Sequence, residues 1–216
     1  MDTDAVLRAI RGLLSTYRGT LQSDRQALLD HFTLTDVAHK VVGVGSVGLR
    51  AWVLLFEAGT GGETLVLQAK QAEASVLAAY AGASAYANHA ERVVAGQHLM
   101  QASSDIFLGW LASSPAEGWT EDYYLRQLRD WKASAELDDM NAGSFDVYAR
   151  LCGWTLARAH ARSGDRIAIA GYLGRADAFD HAVADFAEAY ADLNERDHAA
   201  LADAVAAGRV QAETGP

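Results

Sequence analysis

Val41-Val42-Gly43-Val44-Gly45-Ser46-Val47-Gly48 leads, after Leu49 and Arg50, into the apolar run Ala51 to Phe56. Three of these glycines stand at G-x-G-x-x-G spacing. Glycine has no Cβ, so such a loop bends through positive φ and lets its backbone approach a ligand. Consecutive N–H groups in a loop of this kind form a concavity that attracts anions, phosphates above all. The bland competitor is a glycine-rich hairpin turn, and the flanking sequence has to separate the two.

Valines 37, 41 and 42 precede the loop, Trp52-Val53-Leu54-Leu55-Phe56 follows it, and Leu65-Val66-Leu67-Gln68-Ala69-Lys70 comes next after Gly59, Gly61 and Gly62. Short runs rich in Val, Leu and aromatics between glycine turns predict strands. The expected order is strand, glycine loop, strand, turn, strand: an antiparallel meander with the loop at its first turn. A dinucleotide-binding loop would open a helix directly after its glycines, whereas Leu49 to Val53 continues as strand. A Walker A loop needs Lys and then Ser or Thr after the last glycine, where this chain has Leu49 and Arg50. A nucleophile elbow around Ser46 needs glycine two residues on either side, and Val44 fails that test. The arrangement that survives is kinase-like, a glycine loop between two strands with a lysine on the third.

Lys70 supplies that lysine, with an ammonium suited to nucleotide phosphates. A carboxylate from a following helix usually holds such a lysine. Glu91 is the first candidate, in a helix predicted over about 86–101, and Glu73 is the second. The nucleotide-site residues expected from the pattern are therefore Gly43, Gly45, Ser46, Gly48, Lys70 and Glu91, with ATP and magnesium as the cofactor class. No metal-ligand cluster is expected in the chain itself, and the catalytic residues are unknown.

The remainder of the chain is organised around this region. Val6, Leu7, Ile10, Leu13, Leu14, Tyr17 and Leu21 follow helical spacing. Ser23 and Gln26 fit a capping box that would restart a helix carrying Leu28, Leu29 and Phe32. Asp122 to Leu128 reads as a further strand. Residues 144–162 read as a helix stopped by Gly164, and a second runs from about 177 to 207 and ends at Gly208. The fold class expected is α+β: a small antiparallel sheet with a glycine loop, followed by a helical region. Its parts are a helical segment (1–35), a strand-rich, nucleotide-lobe-like part (36–130) and a helical part (131–216), within one compact unit.

Composition narrows the function classes. The 216 residues carry a formal net charge of −10, which disfavours nucleic acid and anionic membranes as partners. No apolar run approaches the ~18 residues of a membrane span, and the acidic start Met1-Asp2-Thr3-Asp4 is unlike a signal peptide. The lone Cys152 fits a reducing cytoplasm and is expected to be an inert buried thiol. Arg158, Arg162 and Arg166 recur at i+4, and on one helical face they would complement the helix dipole. His160 and Asp165 invite a catalytic assignment, but neither an asparagine about five residues on nor a later Asp-Phe-Gly follows. His181 and Asp185, one turn apart, are read as chance neighbours and not as a metal pair.

Three long strings carry a resemblance: Lys40 to Gly48, Gly96-Gln97-His98-Leu99-Met100-Gln101-Ala102-Ser103-Ser104-Asp105-Ile106-Phe107-Leu108-Gly109-Trp110, and Leu151 to Asp165. Tyr190 to Asp197 extends it. Together they are similar to the bacterial family called domain of unknown function 2252, over nearly the whole chain, and look like the C-terminal half of its members. The resemblance implies a grouping with kinase-like proteins. In that family an upstream half carries a Gly-Asp-x-His-x-x-Asn type string and an acidic cluster, which resemble a phosphotransferase catalytic loop and metal site. This chain has no counterpart of them. The expectation is thus a nucleotide-binding module whose phosphoryl transfer needs a partner chain or an upstream half. The competing expectation is a non-catalytic interaction or structural module that binds no nucleotide. A stand-alone phosphotransferase using Asp165 is a distant third.

Overall fold

A computed structural model describes residues 12–40, 48–59, 61–111, 120–129 and 135–212. The described elements run α1 (helical over 12–19), α2 (Ser23–Leu29), β1 (Phe32–His39), β2 (Ala51–Ala58), β3 (Thr64–Ala72), α3 (Ala78–Ala81), α4 (His89–Met100), β4 (Gly109–Leu111), β5 (Asp122–Gln127), α5 (Ala142–Ser163), α6 (Arg166–Leu173) and α7 (Ala178–Ala206). The strands form one antiparallel sheet in the order β1-β2-β3-β5-β4. The class is α+β, and the first three strands make the expected meander. Two compact units divide the chain, Met1–Ser163 and Gly164–Pro216.

Side chains alternate across a strand, so the sheet has two faces. Leu34, Val37, Trp52, Leu54, Phe56, Leu65, Leu67, Ala69, Leu111, Tyr123 and Leu125 point to one face and are buried against Leu13, Tyr17, Leu21 and Leu29. Burial of each such side chain contributes about 1.5–3 kcal/mol. Gly109 permits the closest approach in this core. A Cβ there would lie 2.5 Å from Thr20 Oγ1 and 2.8 Å from Tyr17.

Four local expectations are corrected. Phe32 opens β1 and does not close α2. A register shift between Leu34 and Asp36 puts Leu34 and Val37 on one face although they are three residues apart. That spacing imitates a helix and hides the start of the strand. The capping box at Ser23 does not form: Gln22 is the N-cap without a side-chain bond, and Gln26 Nε2 donates to the Leu21 carbonyl at 2.8 Å. Arg166 does not continue the helix of Arg158 and Arg162, because α5 ends at Ser163 and Arg166 begins α6. Cys152 is exposed, as are Phe145, Tyr148, Leu151 and Trp154 on the same helix.

In the second unit, Gly208 stops α7 with φ +70, the left-handed conformation that glycine adopts freely. Arg209 and Val210 donate back to the Ala204 carbonyl. The seam Phe179, Val183, Phe186, Tyr190 and Leu193 lies along α7 with every member exposed. No described helix is long and apolar enough to cross a membrane.

Tyr17 joins the core to the loop before β4. Its hydroxyl donates to the Phe107 carbonyl at 2.6 Å. Burial, and secondarily the nearby Asp105 carboxylate, push its pKa far above the ordinary phenol range. Below about pH 10 the phenol keeps its proton in both folded and unfolded chains. Above that pH the unfolded chain releases the proton and the folded chain does not, so stability falls by up to ~1.4 kcal/mol per pH unit for this group. Urea titrations of Tyr17→Phe between about pH 9 and 12 should show a shallower alkaline decline than wild type, with about 1 kcal/mol lost at neutral pH for the missing bond. Equal alkaline slopes would contradict this assignment.

Candidate functional site

The glycine loop spans the hairpin between β1 and β2. Its residues Gly43, Gly45 and Ser46 lie outside the described residues; its two ends lie within them. At the base, the Lys40 N–H donates to the Ala51 carbonyl at 2.8 Å, which pins the first and last residues of the connection together. Gly48 has φ +88, and a Cβ there would meet open space. The demand for glycine at this position is therefore conformational and not one of packing.

Lys70 sits directly across from Ala51 on β2 and from Tyr124 on β5. The loop exit and the lysine are thus neighbours on adjacent strands. Side-chain and main-chain bonds fasten the two strands at this point. The Gln71 N–H donates to the Arg50 carbonyl at 2.9 Å. The Arg50 N–H donates to Gln71 Oε1 at 3.0 Å, and Arg50 Nη1 donates to Glu121 Oε1 at 3.0 Å.

Lys70 belongs to the face opposite the core. Ala51, Val53, Gln68, Tyr124 and Arg126 share that face by register. Gln68 is buried, and Lys70, Tyr124 and Arg126 are half-buried. Burial raises the pKa of the Tyr124 phenol, which stays a neutral donor at physiological pH. Arg126 Nε is buried without a hydrogen-bond partner among the described residues. A buried donor without an acceptor costs about 1–3 kcal/mol, so this position favours an acceptor beyond the described residues. The alternation of β5 was readable in the sequence; the direction in which its polar members point was not.

Asp122 brings α4 to the same face. Its carboxylate is buried, accepting from Asn88 Nδ2 at 2.7 Å and from the His89 backbone N–H at 2.8 Å. Asn88 caps the helix by accepting from the Glu91 N–H at 2.8 Å. A carboxylate at a helix N-terminus is favoured by the helix dipole and by the free N–H groups there. Glu91 therefore lies in the first turn of a helix fixed to the Lys70 face, with Ala90 and Val94 buried beneath it. Glu73 is exposed just past β3, and its carbonyl accepts from Arg92 Nη2 at 2.7 Å.

The other sequence candidates have local duties. Asp165 caps α6, its Oδ1 accepting from the Ile167 N–H at 2.9 Å and the Ala168 N–H at 3.1 Å. His160 is exposed on α5. His181 Nε2 lies 3.3 Å from Asp177 Oδ2. Among the described residues no group of three or more His, Cys, Asp or Glu side chains could hold a metal ion.

A family described as an uncharacterized protein conserved in bacteria, DUF2252, matches residues 2–204. The chain belongs to that family. No curated protein and no solved structure matches it. The glycine loop, Lys70, α4, α5 and α6 lie inside the matched residues, and so does all of α7 but its last two residues.

The anchor of α4 is directly testable in this DUF2252 chain. Asp122→Ala removes an acceptor from two donors, and bonds to a charged partner contribute about 1.5–3 kcal/mol each. A loss of about 3 kcal/mol in urea unfolding is expected, with faster hydrogen exchange across residues 89–92. Asp122→Asn keeps one acceptor and should recover part of the loss. Wild-type stability in Asp122→Ala would show that α4 is held by other contacts.

Proposed function

We propose that this DUF2252 chain is a kinase-like nucleotide-binding module, with Mg-ATP as its ligand class. The observation that carries this reading is the register Lys40–Ala51–Lys70, which joins both ends of the glycine loop to the lysine strand. Backbone N–H groups of the loop, Gly43 to Gly48, would cradle the phosphates, and Lys70 would place its ammonium against them. Arg126, on the Lys70 face, adds a second cation and an unspent buried donor. Glu91, on the helix that Asp122 anchors, is the carboxylate assigned to orient Lys70.

The chain's own residues fit the phosphates of such a ligand better than its metal. Magnesium is usually bound by one or two carboxylates together with substrate phosphates. A partner chain or an upstream half would have to add the carboxylates and the catalytic base. Phosphoryl transfer is accordingly assigned to the complemented protein and not to this chain by itself. A bacterial cytoplasm suits both the single cysteine and the nucleotide.

A second reading, an interaction or structural module without nucleotide, is favoured by one observation. In the first unit α5 exposes Phe145, Leu151 and Trp154, and in the second α7 exposes Phe186 and Tyr190; exposed apolar helix surface of this kind marks binding faces. Thermal unfolding with and without Mg-ATP separates the two. Ligand at 100-fold excess over Kd adds about 2.7 kcal/mol, which for a chain of this size raises Tm by several degrees at roughly 2–4 °C per kcal/mol. Wild type should show that rise, and Lys70→Ala should lose most of it. No rise at millimolar Mg-ATP would leave the interaction module as the surviving reading, and equal rises would remove Lys70 from the site.

A further inference from the structure

The strings Gly96 to Trp110 and Leu151 to Asp165 take no part in the nucleotide reading, yet both contribute to one polar cleft in the first unit. The cleft has a volume of about 450 Å³. It is bounded by the end of α1, the start of α2, the last turn of α4, the loop 101–108 and Arg162 on α5. Lys70 and Gly48 are not among its lining residues.

Two cations enter it from separate elements. Arg162 Nε donates to the Leu99 carbonyl at 2.9 Å, which fixes the guanidinium beside the end of α4. Arg25 is only loosely engaged, with its Nε 3.5 Å from Asp24, a residue outside the lining. His98, Gln101, Ser103 and Ser104 add further donors to the lining. One carboxylate lines the cleft, that of Asp105. Both of its oxygens are already occupied: Oδ1 accepts from the Phe107 N–H at 2.8 Å and Oδ2 from the Gln127 N–H at 2.9 Å.

Hydrogen bonds stiffen the loop that lines the cleft. Asp105 ties the loop to β5, and the Tyr17 hydroxyl holds Phe107. The Trp110 N–H donates to Thr20 Oγ1 at 3.2 Å, fastening the start of β4 to α1. Stiff walls keep the donors in place before a ligand arrives, which lowers the ordering cost of binding. Two guanidinium groups and several hydroxyl or amide donors around one space match the charge and acceptor count of a phosphate group.

We propose that this cleft binds a phosphate group, carried either by free inorganic phosphate or by a small phosphorylated molecule, at a site separate from the glycine loop. The probe is inorganic phosphate, titrated into the full chain at constant ionic strength and followed by phosphorus NMR or calorimetry. Saturable binding to one site is expected in wild type. Arg25→Ala and Arg162→Ala should each weaken it about tenfold, the effect of losing one charge-assisted bond. Arg150→Ala, which removes a surface ion pair with Asp146 outside the cleft, should bind as wild type does. Arg162 also supports Leu99, so Arg25→Ala, whose one ion pair is on the surface, is the decisive variant should Arg162→Ala unfold. Competition with phenyl phosphate then identifies the source. Tighter binding of the monoester assigns the site to a phosphorylated small molecule, and tighter binding of inorganic phosphate assigns it to the free ion. Absence of saturable phosphate binding in wild type, undiminished binding in Arg25→Ala, or equal loss of binding in Arg150→Ala would overturn the proposal.

Discussion

The buried Asp122 carboxylate is the constraint on which the candidate site's geometry depends. A carboxylate removed from water must be compensated, and here the compensation comes from Asn88 and the His89 N–H at the head of α4. One desolvated charge thereby fixes where a twelve-residue helix begins and which face of the sheet it covers. That face is the one bearing Lys70, because Asp122 and Tyr124 are two residues apart on β5 and Tyr124 is paired with Lys70. Without this anchor the sheet would still hold its core on the other face. The arrangement of helix, lysine and loop would lose its definition.

The two faces of the sheet consequently carry different tasks. The face against α1 and α2 is an apolar core made from residues of all five strands and from Tyr17. The opposite face holds a buried glutamine, a half-buried lysine and a half-buried arginine in cross-strand positions. Buried polar groups are costly unless hydrogen-bonded, which restricts the residues that each position of this face accepts. Pinning of the glycine loop at Lys40 and Ala51 belongs to the same pattern. It fixes where the loop begins and ends.

Much of the fold was legible because its signals were local. Apolar runs between glycines gave the meander, Lys70 was found on the third strand, and helical spacing located α4, α5 and α7. What was not legible depended on residues distant in the chain. β4 is three residues long, too short for a period, and exists because Trp110 and Leu111 pair with Tyr124 and Tyr123. The bulge at Thr35 turned a strand start into an apparent helix end. Exposure of Cys152 could not be read from an apolar helical face, since periodicity says which residues share a face and not what covers it. For the site, the spacing pointed to Lys70 and Glu91 but passed over Arg126 and Asp122. Arg126 and Asp122 acquire their meaning only from cross-strand register and from a helix thirty-odd residues upstream.

Charge is distributed so that anion binding and net acidity coexist. Residues 164–216 hold ten acidic side chains against four arginines, a net −6 of the chain's −10. The acids of α7, such as Asp185, Glu188, Asp192 and Glu195, are exposed to solvent. At physiological ionic strength the screening length is about 8 Å, so exposed charges act mainly on their immediate surroundings. Half-buried cations are screened much less and keep their effect on a ligand that touches them. Lys70 and Arg126 on the sheet, and Arg162 held at the end of α4, are placed in that second regime or fixed by a backbone bond. A net-negative protein of this construction repels polyanions such as nucleic acid at range. Net charge of this sign does not by itself oppose a single phosphate, because over a few ångströms a local donor set outweighs the distant net charge.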